Sequence, residues 1–250
     1  MEQQQLIELL LFVAAGFLAQ LVDGALGMAY GVSASSLLLT FGVPPAPASA
    51  SVHVAKVFAG GASGYSHWRV GNVIIPFARK LIIPGVIGAC AGAFILTEVP
   101  PQIIRPIVAV YLVFMGLIII AKSIRRTVRV GSDRHLTILG AAGGFCDALG
   151  GGGWGPIVTG TLLARGNEPR TTIGSVNFAE FFVALASTAM FLSTIGLQLW
   201  RPAAGLAIGG LLAAPIAARL TGRIPARPLM LFVGAVIVAL SIRTIVLSLG

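Results

Sequence analysis

DGALGMAYG (residues 23–31) and DALGGGGWG (147–155) are one stretch written twice. Sliding the chain by 124 residues aligns them without a gap: Asp23 falls on Asp147, Gly27 on Gly151, Tyr30 on Trp154 and Gly31 on Gly155. The register holds further out. Gly42 meets Gly166, Pro45 meets Pro169, and SVHVAKVF (51–58) meets SVNFAEFF (175–182). Ser63 then meets Ser187, Gly85 meets Gly209 and Pro101 meets Pro225. An aspartate, a glycine-rich interruption and a Ser-Val-polar box in one register mark a duplicated unit. The chain therefore reads as two homologous halves, 1–124 and 125–250, forming one integrated assembly joined by a basic linker.

What surrounds the two stretches decides the environment. The 250 residues are 56% hydrophobic and only 10% charged, with mean hydropathy +0.95, against about 25% charged in an ordinary soluble domain. Nearly uncharged runs recur at 6–22, 28–55, 81–97, 106–121, 136–164, 181–200, 202–218 and 228–242. Several approach the roughly 20 residues that cross a bilayer as a helix. This predicts an all-α, polytopic membrane protein, placed in the bacterial inner membrane, in which each half opens with a glycine-rich broken helix or hairpin. The net charge of +9 lies mostly between the apolar runs, where it sets topology and does not point to nucleic acid. MEQQQ at the start carries no positive charge and no small-residue cleavage site follows, so 6–22 reads as a mature segment. Cys90 and Cys146 sit in apolar runs as small hydrophobes. No disulfide, metal site or cofactor is expected.

Charge in the connections predicts how the halves face. The linker 122–135 holds Lys122, Arg125, Arg126, Arg129 and Arg134 and is expected on the cytoplasmic side. Arg69, Arg79 and Lys80 in 66–80 are matched only by Arg201 near 196–203; Arg219, Arg223 and Arg227 in 219–227 are matched by one arginine near 98–105, offset by Glu98. Connections rich in one half are poor in the other, as in inverted repeats. Inversion needs an odd number of crossings per half. Helices over 46–66, 78–97 and 103–122 supply three if 6–42 is a hairpin; the rival count makes 6–42 one tilted or broken crossing, or two full ones.

Only three acids lie inside apolar surroundings: Asp23, Asp147 and Glu180. One lysine, Lys56, does too, with His53 one helical turn before it. A charge at bilayer depth costs about 2.5–3.5 kcal/mol, so it is paired or functional. Asp23 and Asp147 open the interruptions, either capping the helix that follows or carrying a coupling proton. Gly27, Gly31, Gly151, Gly152 and Gly153 let the backbone turn and free N–H groups that attract anions; tight helix packing is the other use of such glycines. His53 and Lys56 share a helix face, and Asn177 and Glu180 take their places in the second half. We expect Lys56 and Glu180 to approach each other near the midplane, leaving His53 and Asn177 to face substrate. Ser51 and Ser175 precede the two boxes and are further candidates, although each can equally bond its own preceding turn. His67, Trp68 and Arg69 read as an interfacial anchor.

With these residues in view, the chain resembles the TauE/SafE family of sulfite and sulfonate exporters. The resemblance rests on a glycine-rich break, a turn and a small-residue box in each half, with HWRVGN (67–72) matching an H-x-x-x-G-N ending, and it covers nearly the whole chain. GGGG (150–153) fits the family's break closely, GMAYG (27–31) loosely, and the two aspartates depart from its pattern. It implies a secondary transporter for a small anion such as sulfite, sulfoacetate or a related organosulfonate, with the bilayer as its partner and a homodimer as one state. Proton coupling through Asp23, Asp147, His53 or Glu180 is expected, at a midplane site built from both breaks. An anion channel of the same architecture is the alternative. GASG (61–64) would allow an intramembrane hydrolase with Ser63 as nucleophile, but no histidine is placed to serve it as base.

Overall fold

The computed structural model describes residues 2–124, 135–196, 200–220 and 226–249. All regular structure among them is helical. α1 (Glu2–Leu26) ends at the first glycine stretch; α2 (Tyr30–Thr40) is short; α3 (Pro45–Arg69), α4 (Ile75–Glu98) and α5 (Pro101–Ile124) complete the first half. The second half repeats the order: α6 (Leu136–Gly150), a π-helical turn (Gly155–Thr159) running into α7 (Gly160–Ala164), then α8 (Pro169–Thr194), α9 (Trp200–Leu220) and α10 (Ala226–Leu249). Most of the basic linker, 125–134, lies outside the described residues, as does Arg223.

Prolines place several starts. Pro45, Pro76 and Pro169 occupy the first turns of α3, α4 and α8, where the missing N–H costs nothing. Among the described residues, six segments are long and apolar enough to cross a membrane: 5–24, 75–98, 101–124, 169–194, 200–220 and 227–248. α3 matches them in length, at about 37 Å for 25 residues, but is more polar. It can afford this because α8 and α9 sheathe it. The outer helices show the opposite pattern. Ile103, Ile107, Val110, Phe114 and Leu117 stand exposed along one face of α5, and Ile83, Ile87 and Phe94 along α4. Such apolar stripes at helical spacing need lipid around them.

The halves interlock. α1 packs on α9 and α4 on α6; α3 packs on α9 and α8 on α4; α3 crosses α8, and α5 lies on α10. Exchanging each helix for its counterpart 124 residues away leaves this pattern unchanged. Glycines make the first two contacts close. A side chain on Gly16 would strike the Leu206 backbone and one on Gly209 the Val13 carbonyl; Gly88 and Gly92 meet α6 backbone at Ala141 and Phe145 in the same way.

α2 returns beside α1: Leu18 to Val22 and Ser33 to Leu37 line one groove with α10. Its buried C-terminal carbonyls receive Arg105 at Leu39 (3.1 Å) and Arg243 at Thr40 (3.1 Å), the cations that a helix end favours.

Candidate functional site

α3 carries a polar stripe. Ser49, His53, Lys56, Ser63 and His67 are spaced 4, 3, 7 and 4 residues apart, which puts them on one face of a helix. All five are buried. A buried polar stripe must find partners, and it finds them on α1, α6 and α8.

The centre is Lys56. Its ammonium donates to Asp147 Oδ1 at 2.9 Å and Oδ2 at 2.7 Å, and lies 2.6 Å from Glu180 Oε1. His53 Nε2 lies 3.2 Å from Asp147 Oδ2, while its Nδ1 sits 2.8 Å from the Ser49 carbonyl. Lys56 is 3% exposed, Asp147 is fully buried and Glu180 is 6% exposed, so the charges have each other and little water. Asp147 has a second task. Its Oδ1 accepts from the backbone N–H groups of Gly153 (2.9 Å) and Trp154 (3.1 Å), the first free donors of the helix beyond the break. Asp23 does the same at the other break, accepting from Tyr30 N–H at 3.2 Å. Neither aspartate stands at the N-cap position. Each sits in the last turn of the preceding helix and reaches across the turn.

A buried lysine held by acids thus lies beside the two interrupted helices. The family model described as sulfite exporter TauE/SafE matches residues 12–244. The chain belongs to the TauE/SafE family. It is also 40% identical over 249 residues to the probable membrane transporter protein YtnM of Bacillus subtilis (strain 168), covering 96% of this chain and 83% of that one. No solved structure matches. The protein is thus a multi-pass membrane transporter and not an enzyme. Ser63, the nucleophile of the hydrolase reading, is buried and accepts a hydrogen bond from Asn177 Nδ2 at 3.3 Å.

In this TauE/SafE protein the two glycine stretches touch. A side chain on Gly31 would collide with the Gly151 carbonyl, one on Gly152 with the Val32 amide nitrogen, and one on Gly155 with the Met28 backbone. Gly27 and Gly151 both have φ of +69°, a left-handed conformation that glycine adopts freely. Gly153 is closed in by the Tyr111 hydroxyl, which donates to the Gly152 carbonyl at 2.9 Å.

The expected residues separate into two groups. Lys56, His53, Asp147 and Glu180 come together. Ser51 and Ser175 stay outside: Ser51 donates to the Pro47 carbonyl at 2.8 Å, and Ser175 accepts from Ile74 N–H at 2.8 Å. His53 is not free to face a substrate, because Asp147 and the Ser49 carbonyl engage both ring nitrogens. Asn177 spends its amide N–H on Ser63, and its Oδ1 has no hydrogen-bond partner among the described residues. Trp68 is 55% exposed, as the anchor reading requires, whereas His67 is fully buried and cannot serve as an anchor. His67 Nε2–H donates to the Gly24 carbonyl at 3.0 Å.

Sequence reasoning passed over Ser49, whose hydroxyl donates to the Ala148 carbonyl at 2.6 Å, and Tyr111. The i, i+4, i+7 spacing of Ser49, His53 and Lys56 was the available signal for the first. Nothing local marks Tyr111, which comes from a helix remote in sequence.

Proposed function

We propose that this transporter is a proton-coupled secondary carrier for a small oxyanion of the sulfite or organosulfonate class, with Lys56 as the anion's counter-charge. The observation that carries the reading is the clamp of Lys56 between Asp147 and Glu180 beside two touching helix breaks. The family's description, sulfite exporter, supports the substrate class.

Charge arithmetic supports the coupling. Two carboxylates, Asp147 and Glu180, hold one ammonium, with Asp23 at the neighbouring break. Both nitrogens of His53 face acceptor atoms, since the Ser49 hydroxyl spends its proton on Ala148. The two carboxylates that hold the ammonium outnumber it by one charge. An incoming anion adds another in a medium that tolerates none. Asp147 is tied down by two backbone donors as well as Lys56. Glu180 has one partner that an anion can take over. In the proposed cycle the anion displaces Glu180 from Lys56, and Glu180 accepts the accompanying proton.

The interlocked, exchangeable helix pairs and the return of α2 beside α1 support inverted halves, with three further crossings each. Alternating exposure then follows from one half rocking against the other around the fixed centre. The linker would face the cytoplasm of a bacterial inner membrane, in keeping with its positive charge.

Purified protein in liposomes tests this. Sulfite flux should saturate, show counterflow and follow an imposed pH gradient. Glu180→Gln should keep flux but lose the pH dependence. Flux indifferent to pH gradient and protonophore would remove the coupling, and single-channel currents would turn the carrier into a channel.

A further inference from the structure

HWRVGN (67–72) has a structural role that the ion cluster does not use. α3 ends in a Schellman turn: Gly71 N–H bonds the Trp68 carbonyl (3.1 Å) and Asn72 N–H the His67 carbonyl (2.9 Å). Gly71 takes the left-handed conformation the turn requires, with φ of +74°. The turn folds Asn72 back toward its own helix. There Asn72 Nδ2 donates to His67 Nδ1 at 3.1 Å, and Asn72 Oδ1 accepts from Arg170 Nε at 2.6 Å. Arg170 belongs to the first turn of α8, in the other half. A side chain on Gly174 would strike Asn72, and Ser175 holds Ile74 N–H, so α8 pins this turn at three points.

The donors and acceptors leave one solution. Arg170 can only donate, so the atom facing it is the Asn72 oxygen, and the Asn72 nitrogen then donates to His67 Nδ1. His67 therefore carries its proton on Nε2 and aims it at the Gly24 carbonyl. That carbonyl lies in the last turn of α1, beside the break. Asp23, the neighbouring residue, holds the far side of the same break. At the second break the equivalent carbonyl, that of Ala148, is met by Ser49 from the other end of α3. One helix thus clasps both breaks.

We infer that His67, oriented by Asn72 and Arg170, is a positioning residue that holds the first break in register, as Ser49 holds the second, and so ties the geometry around Asp23 to the start of α8. The counterpart of His67 in the second half is Phe191, which packs against His53 at 5.8 Å between ring centroids, so the Arg–Asn–His latch belongs to the first half alone. Its outer end adjoins a hollow of about 620 Å³ lined by Ile74, Lys80, Glu168 and Thr171.

Amide hydrogen exchange on the full-length protein in nanodiscs, without substrate, tests it locally. His67→Phe should raise exchange at residues 26–31 about tenfold or more and leave 150–155 unchanged; Ser49→Ala should do the reverse. His67→Gln should restore protection, because its amide can donate to Gly24 and accept from Asn72. Equal loosening of both breaks, no change at the first, or failure of glutamine to rescue would overturn the inference. If His67→Phe does not fold, Asn72→Ala gives the same reading by freeing the ring. The flux arm rests on the carrier reading. With sulfite as the probe, His67→Phe should lower maximal rate about tenfold with KM within twofold, and adding Arg170→Gln should lower it no further. Additive losses, or a rise in KM alone, would count against the latch. A wild-type protein that moves no sulfite would remove the substrate assignment and leave the exchange result standing.

Discussion

The two breaks begin from the same sequence pattern and end as different devices. The second is held from several sides. Asp147 bonds two of its backbone donors, Tyr111 takes the Gly152 carbonyl, Ser49 the Ala148 carbonyl, Trp154 Nε1 the Val176 carbonyl (3.2 Å), and Lys122 the Pro156 carbonyl (2.6 Å). At the first break, Asp23 bonds one backbone donor, His67 takes the Gly24 carbonyl, and the Tyr30 hydroxyl reaches the Leu206 carbonyl at 3.0 Å. The polar box of α3 makes the difference. His53 and Lys56 on α3 lean onto Asp147, whereas Asn177 and Glu180, at the same places on α8, bring no cation to Asp23. The two turns are alike in shape, and among the described residues the second is held by more side chains than the first. Local opening goes to the part with fewer tethers, so the first break is where motion is expected to begin.

Removing Lys56 should make the breaks alike, and should be the costliest change. Lys56→Met leaves Asp147 and Glu180 buried without a counter-charge, a loss of about 3–5 kcal/mol on the scale of broken buried pairs. Adding Glu180→Gln should recover part of it, because one of the two stranded charges is gone. Thermal unfolding in detergent measures both. A single mutant as stable as the parent would mean that the cluster is already neutralised by protons.

The aspartates compare the breaks directly. Asp147→Asn keeps an oxygen for Gly153 and Trp154 but removes the charged partner that Lys56 holds through both oxygens. Asp23→Asn keeps an oxygen for Tyr30 and breaks no short ion pair. Sulfite flux should fall about a hundredfold for the first and less than tenfold for the second, a gap of at least roughly 1.4 kcal/mol in barrier. Equal losses would show that Asp23 takes part in the chemistry of transport as fully as Asp147.

The asymmetry was only partly legible in the sequence. The helical membrane character followed from composition, because lipid leaves a chain so poor in charge few other solutions. The approach of Lys56 to Glu180 could be anticipated, since two buried opposite charges at equivalent places have few other partners. The pairing of Lys56 and His53 with Asp147 could not. It depends on how α3 and α6 meet, and spacing within one helix says nothing about the angle between two. His67 was misread for a similar reason: a histidine beside Trp68 and Arg69 at a helix end looks interfacial, and only the Schellman turn aims it inward. Ser51 and Ser175 stood out because they are duplicated, yet each is spent on a nearby backbone group.

Tyr111 is the test of a single tether. Tyr111→Phe keeps the ring against Gly150 and deletes the hydrogen bond to Gly152, which should cost about 1 kcal/mol and raise amide exchange at 151–154 without touching 26–31. The same truncation at Tyr30 removes its bond to Leu206, and exchange should then rise at the first break alone. If either change loosens both breaks, their backbone-to-backbone contact couples them, and they move as one unit.

The smallest difference lies at the entry to the helices that carry the boxes. α3 starts at Pro44 with no side-chain cap, whereas α8 starts at Glu168, which accepts from Thr171 N–H (2.6 Å), Thr171 Oγ1 (2.7 Å) and Arg170 N–H (2.9 Å). Shallow burial pushes this carboxyl up. The hydrogen bonds from Thr171 and Arg170, then the Arg170 charge, outweigh that and hold it below its ordinary value of 4.5. A carboxyl lowered by folding stabilises the folded state above its unfolded value, and that gain is lost as pH falls through the folded one. The advantage of wild type over Glu168→Gln in thermal midpoint should therefore be complete at neutral pH and close as pH drops below 4.5. Because the group is exposed, water and salt screen it, so the gap should be small and shrink further in high salt. A gap that persisted unchanged into acid would assign the cap's value to its hydrogen-bond geometry, which glutamine then fails to reproduce, and not to its charge.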